Sequence, residues 1–92
     1  MRKFETGRCL ISRGVADSIS RNPLFAREVK ASFDKHVTGD WGDLSDEDKK
    51  ANEDALIYED RIFSAYNTSE GRLYAITEWD RSYTTLMFSS EY

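Results

Sequence analysis

Chemistry in this chain concentrates in two short blocks. His36-Val-Thr-Gly-Asp-Trp-Gly-Asp-Leu44 holds the only histidine and one of two tryptophans, and Thr77-Glu-Trp-Asp-Arg-Ser-Tyr83 holds the other. His36 and Asp40 are four residues apart at what reads as a helix end, where a carboxylate-held imidazole can act as a general base. Glu78 and Asp80 supply further carboxylates, and Arg81 can hold an anion. A small hydrolase or nuclease built on His36 with Asp40, Glu78 or Asp80, and with Arg81, is therefore one reading. No nucleophile motif accompanies these residues. A histidine in the last turn of a helix also has a simpler role, complementing the helix dipole.

The same blocks support a binding reading. Gly39 and Gly42 flank Asp40-Trp41, so a sharply turning loop can present the indole as an anchor. Tryptophan is usually largely buried, so Trp41 capping the end of a thin core and packing on the strands that follow is the simpler expectation. Asp43 belongs to the same loop. The bend at Asp80-Arg81-Ser82 lacks glycine where a tight hairpin normally needs positive φ. Asp80 is expected to organise that bend by bonding to the backbone two residues on, with Ser82 or Thr84 as partner. Arg81 then points outward as a recognition residue. Trp41, Asp43, Asp80 and Arg81 are the candidate binding residues.

The elements that position these residues follow from periodicity and caps. Gly7–Ser12 reads as a short strand ended by Gly14, and a short helical turn follows over Val15–Ile19. Asn22 with Pro23 marks a helix start. Leu24, Phe25, Val29, Phe33 and Val37 form its apolar stripe, and Gly39 ends it. Ser45 with Asp46, Glu47 and Asp48 marks a second helix, poor in apolar residues and therefore lying on the surface. From Arg61 the period changes to that of strands. The expected fold is α+β in a single domain over 1–92: a three-stranded antiparallel C-terminal meander (61–67, 72–79, 83–88) packed against two main helices (23–38, 46–57). The N-terminal strand is a candidate addition at an edge. Phe25, Val29, Phe33, Ile76 and Leu86 are expected to be buried together.

Composition excludes several classes. The net charge of −4 divides into +4 over residues 1–36, −7 over 37–60 and −1 over 61–92. An acidic chain is a poor general binder of phosphate backbones, so direct nucleic-acid binding is not expected. The acidic run from Asp40 to Asp60 can instead imitate a phosphate backbone, although a solvated helix face is the commoner meaning of such a run. One cysteine and one histidine cannot build a structural zinc site, and no metal is expected. No glycine-rich loop stands where a nucleotide cofactor would sit, and Asn22-Pro-Leu-Phe25 is a helix start rather than a methyltransferase motif. No cofactor is expected. The opening residues lack the apolar run of a secretion signal, and no stretch is apolar enough for a membrane span. With Cys9 alone, a reducing cytoplasmic location is expected.

His36–Leu44, Asp48, Asn52, Arg61-Ile-Phe-Ser-Ala-Tyr66, Ile76-Thr-Glu-Trp-Asp-Arg-Ser-Tyr-Thr-Thr85 and the final Glu91-Tyr92 together resemble a group of small bacterial proteins. These are carried on plasmids, phages and other mobile elements and labelled "plasmid-related protein" or "type I restriction subunit M". The resemblance spans roughly residues 36–92. Trp79 and Tyr83 stand where smaller residues are expected, and Ser89-Ser90 where proline and an acid are expected. The mobile-element setting implies a non-enzymatic accessory protein that acts by binding a protein, in its sharpest form a counter-defence inhibitor of a nucleic-acid-targeting system. A homodimer is compatible with that setting.

Overall fold

Side-chain caps begin all three helices. A computed structural model describes residues 1–92. Ser12 accepts the Val15 N–H and opens α1 (Arg13–Arg21); Asn22 accepts the Leu24 and Phe25 N–H groups and, with Pro23 in the first turn, opens α2 (Pro23–Val37). Ser45 accepts the Asp48 N–H and opens α3 (Asp46–Tyr58), whose first turn carries three acids. The short turn expected at Val15–Ile19 is thus a full nine-residue helix. Gly14 lies inside it instead of ending the strand, because its N–H is taken by the Glu91 carboxylate at 3.1 Å.

The strands are β1 (Arg8–Ile11), β2 (Ile62–Thr68), β3 (Gly71–Thr77) and β4 (Tyr83–Phe88), arranged β1-β4-β3-β2. The β2–β3–β4 meander is antiparallel, and β1 completes the sheet beside β4 in parallel, with Cys9 opposite Thr84 and Ile11 opposite Leu86. All three helices lie in the long connection from β1 to the meander, and β1 takes the edge place expected of an N-terminal strand, so the sheet is mixed and four-stranded. β3 stops at Thr77, not 79, because Glu78 already enters the bend, its N–H bonded to the Tyr83 carbonyl at 3.1 Å.

Val15, Phe25, Val29, Tyr66, Leu73, Ala75 and Leu86 form the main core between α1, α2 and the sheet, with Phe25 stacked on Phe88 at 5.4 Å. A second cluster of Trp41, Ala55 and Ile62 joins α3 to β2, lined by Phe4, Leu44 and Leu56. Two expected core members differ. Phe33 is half-buried at the rim under the Arg2 guanidinium. Ile76 is buried, but strand alternation turns it away from Ala75 and the helices. The face it shares also carries Phe63, Tyr74, Leu10, Tyr83, Thr85 and Met87. No helix covers that outer face. The C-terminal 3₁₀ turn (Ser89–Glu91) brings Tyr92 edge-on to Tyr74 and Phe63, at 5.7 and 6.2 Å.

Phe25 is fully enclosed and Phe33 is not. In urea denaturation Phe25→Ala is expected to lower stability by about 3–5 kcal/mol, and Phe33→Ala by less than about half of that.

Candidate functional site

The residues singled out by sequence fall into three separate places. The first is the buried side of the sheet. His36, near the end of α2, has no solvent exposure. Its Nδ1 lies 2.5 Å from Ser64 Oγ and its Nε2 lies 2.9 Å from Thr77 Oγ1. Thr77 Oγ1 is 2.7 Å from Thr84 Oγ1, which donates to the Thr6 carbonyl at 2.8 Å. That last bond sets the proton order. Thr84 spends its hydrogen on Thr6, so Thr77 donates to Thr84 and His36 Nε2–H donates to Thr77. Burial pushes its pKa from 6.5 down to about 4, so the imidazole is neutral and Nδ1 accepts the Ser64 hydroxyl. No buried side-chain polar atom lacks a partner.

The arrangement overturns two sequence expectations for His36. It does not complement the helix dipole with a positive charge, because it is uncharged. It does not pair with Asp40, because Ser64 and Thr77 hold both of its ring nitrogens. Asp40 is exposed, and its carboxylate accepts the Gly42 N–H at 3.2 Å while its main-chain carbonyl accepts the Tyr66 hydroxyl at 2.7 Å. Burial raises the Tyr66 pKa, so that hydroxyl stays a donor.

The second place is the loop between α2 and α3. Trp41 is buried, with its ring 6.2 Å from Phe4 and 6.1 Å from His36, and its Nε1–H donates to Glu53 at 2.7 Å. It ties the loop to α3 and the sheet; it is not presented as an anchor. Gly42 bridges in parallel to Ala65 on β2, and a side chain there would collide with the Ala65 carbonyl. Asp43 accepts from Arg72 at 2.8 Å and Asn67 at 3.2 Å, and Arg72 also donates to the Asp43 carbonyl at 2.8 Å. These hydrogen bonds, foremost that of Arg72, hold the Asp43 carboxyl below its usual range.

The third place is the β3–β4 bend. Asp80 accepts the Ser82 N–H at 3.0 Å, the turn-organising role expected of it, and hydrogen bonding to Ser82 lowers its pKa. Arg81 takes the positive φ of 59° that the missing glycine would have taken. It does not point outward. Its guanidinium donates to the Asp60 carbonyl at 2.7 Å, the Ala55 carbonyl at 3.0 Å and the Glu78 carbonyl at 3.1 Å, and lies 5.8 Å from the Phe4 ring. Arg81 thus satisfies the carboxyl end of α3 and locks it to the bend. The carboxylate of Glu78 faces Arg61 at 3.8 Å.

Sequence reasoning missed Asn52 as a working residue. Its amide donates to the Phe63 carbonyl at 2.6 Å and accepts the Phe63 N–H at 3.1 Å, occupying the β2 edge as a neighbouring strand would. It also missed Ser64, Thr77 and Thr84. Their signal was a polar residue in the inward-facing phase of three apolar strands, on Ile62-Ser64-Tyr66, Ala75-Thr77 and Thr84-Leu86.

One cleft, of about 340 Å³, opens between α2 and the loop, with Glu28, Ser32, Lys35, Asp43, Tyr66 and Asn67 among its lining. Of the predicted site residues only Asp43 reaches it. Glu28 and Asp43 are both engaged, Glu28 by the Ser69 N–H and hydroxyl and Asp43 by Arg72. No group of three or more His, Cys, Asp and Glu is placed to hold a metal ion, and no helix is long and apolar enough to cross a membrane. No family model, curated protein or solved structure matches the chain.

Two predictions follow the geometry of His36 and Arg81. The folded pKa of His36 lies below the unfolded one, so the unfolded chain binds the proton first as pH falls. The His36 contribution is whole above pH 6.5 and is lost on descending to about pH 4, a loss of about 3 kcal/mol. Urea titrations across that window should show the loss in the wild type, and a smaller one in His36→Gln, which cannot take up the proton. Arg81→Ala should cost about 2 kcal/mol through lost carbonyl partners. Arg81→Gly should cost about 1 kcal/mol less than Arg81→Ala, because glycine relieves the left-handed backbone; paired thermal melts check the order.

Proposed function

We propose that this protein is a non-enzymatic binding module whose partner is another protein. The observation that carries this reading is the outer sheet face. It lacks a helical layer and carries Leu10, Phe63, Tyr74, Tyr83 and Met87, with Tyr92 laid across it and Trp79 exposed at the bend beside it. Its cations are all arginines: Arg8, Arg61 and Arg72. Arg61 lies 5.8 Å from the Tyr92 ring and Arg72 5.9 Å from that of Tyr74. Tyrosine, tryptophan, methionine and arginine, with lysine depleted, is the composition that carries energy at protein interfaces. Arg61 and Arg72 already face Glu78 and Asp43, so the face does not offer a row of free cations to a phosphate backbone.

The enzyme alternative finds less support. His36 is inside the core and proton-ordered, Asp80 and Arg81 hold a bend, and Asp40 holds a loop. These side chains converge on no common concavity, which shared chemistry requires. The resemblance to mobile-element proteins supplies the setting in which such a module acts, and inhibition of a nucleic-acid-targeting system is the sharpest form of the reading.

The test is affinity capture from bacterial lysate with mass spectrometry. The wild type should retain a specific protein, and Trp79→Ala combined with Tyr83→Ala should reduce that capture by at least about tenfold. Lys35→Ala, in the cleft, should leave it unchanged. Retention of nucleic acid instead of protein would overturn the reading. So would a hydrolytic activity lost in a folded Asp80→Asn variant.

A further inference from the structure

The two edges of the sheet differ. Along β2, Phe63 bonds Asn52, and Ala65 bonds the Trp41 carbonyl and the Asp43 N–H. Along β1 every residue is exposed. Arg8 N–H donates to the Ser82 carbonyl and Ser12 N–H to the Leu86 carbonyl, so residues 8, 10 and 12 direct their main-chain groups into the sheet. Cys9 and Ile11 direct theirs outward. Leu10 and Ile11 are 39% and 46% exposed. Proline, a bulge or an inward-facing charge would blunt such an edge, and none stands between Cys9 and Ile11.

We propose that a second copy of this chain docks on β1, antiparallel, with a two-fold axis at Leu10, joining two four-stranded sheets into one. The edge is self-complementary in that register. Cys9 exchanges both main-chain bonds with Ile11 of the second copy, and Ile11 does so with its Cys9. Leu10 meets Leu10 on the outer face, and Cys9 packs beside the opposite Ile11 on the helix side. Charge specifies the occupant. β1 begins at Arg8, and at its other end the Ser12 hydroxyl is bonded to the Glu91 carboxylate at 2.6 Å. An antiparallel copy brings Arg8 opposite Ser12, so each guanidinium approaches a carboxylate, twice by symmetry. The contact shares Leu10 and Arg8 with the binding face above but does not use Trp79 or Tyr83, so the Trp79→Ala, Tyr83→Ala variant should still dimerise.

Cys9 is the sole cysteine and reports the register. The two Cys9 residues lie diagonally across the ladder on one face, about 7–8 Å apart, within reach of a short bismaleimide. Sedimentation of the reduced protein should show a weak, concentration-dependent dimer, because so short a strand buries less than a standard interface. Bismaleimide should link it, and Cys9→Ser should abolish the link. Leu10→Lys sets two ammonium groups side by side at the axis. It should raise the dissociation constant by at least about tenfold without changing the melting temperature. Arg8→Glu should act in the same direction, and it decides the matter if Leu10→Lys fails to fold. A monomer at every concentration overturns the proposal. So does a dimer that neither variant weakens, or an edge that takes up a foreign extended peptide while the chain stays monomeric.

Discussion

A line of hydrogen bonds through the interior holds this domain together. It runs from the Thr6 carbonyl through Thr84, Thr77 and His36 to Ser64, and so joins the N-terminal segment, β4, β3, α2 and β2. Each hydroxyl has one hydrogen to give, so the bonds from Thr6 to the His36 Nε2–H take their direction from the first. A polar line inside a thin core is costly if broken and specific if complete, because an unpaired group there has no water to turn to. Burial sets the protonation state, since the charged ring would be taken out of water. The imidazole that looks most like a catalyst in the sequence is a neutral structural link.

The same economy governs α3. Its apolar contribution to the core is narrow, chiefly Ala55 with Leu56 beside it. Directional bonds supply the rest of its attachment. Asn52 takes the β2 edge at Phe63, Glu53 receives the Trp41 indole N–H, and Arg81 gathers the carbonyls of Ala55 and Asp60. A small chain buries a limited share of its surface. Here it uses the Asn52 side chain in place of a fifth strand, and the Arg81 guanidinium reinforces a helix end already closed by the left-handed Glu59. The left-handed backbone at Arg81 costs about 1 kcal/mol, offset by several charge-assisted bonds to carbonyls.

These constraints decide which surfaces stay open. The helix side is closed, the β2 edge is closed, and the cleft beside α2 has its carboxylates already engaged. The outer sheet face and the β1 edge remain, one aromatic and arginine-bearing, the other offering main-chain bonds. Both are suited to association, the face through apolar and arginine side chains and the edge through main-chain groups left free along β1.

The α+β class, both long helices and the β2–β3–β4 meander are legible in the chain itself. Their signals are local: Asn22-Pro23 and Ser45 as caps, the Phe25-Val29 stripe, and the change of period at Arg61. Asp80 was legible for the same reason, since an aspartate bonding two residues on needs nothing distant. The burial of Trp41 was legible as well, since a large apolar ring beside a thin core goes inside. The roles of His36, Asn52 and Arg81 were not. Each is decided by partners far along the chain: Ser64 and Thr77, Phe63, and Ala55. Ile76 shows the same limit, because its burial follows from its apolar character while the face it occupies follows from register. The parallel place of β1 beside β4 is likewise a matter of packing, since four exposed residues carry no alternation to say which strand they join. Residue type tells what a side chain is able to do, and the folded chain, by supplying or withholding water and partners, settles which of those things it does.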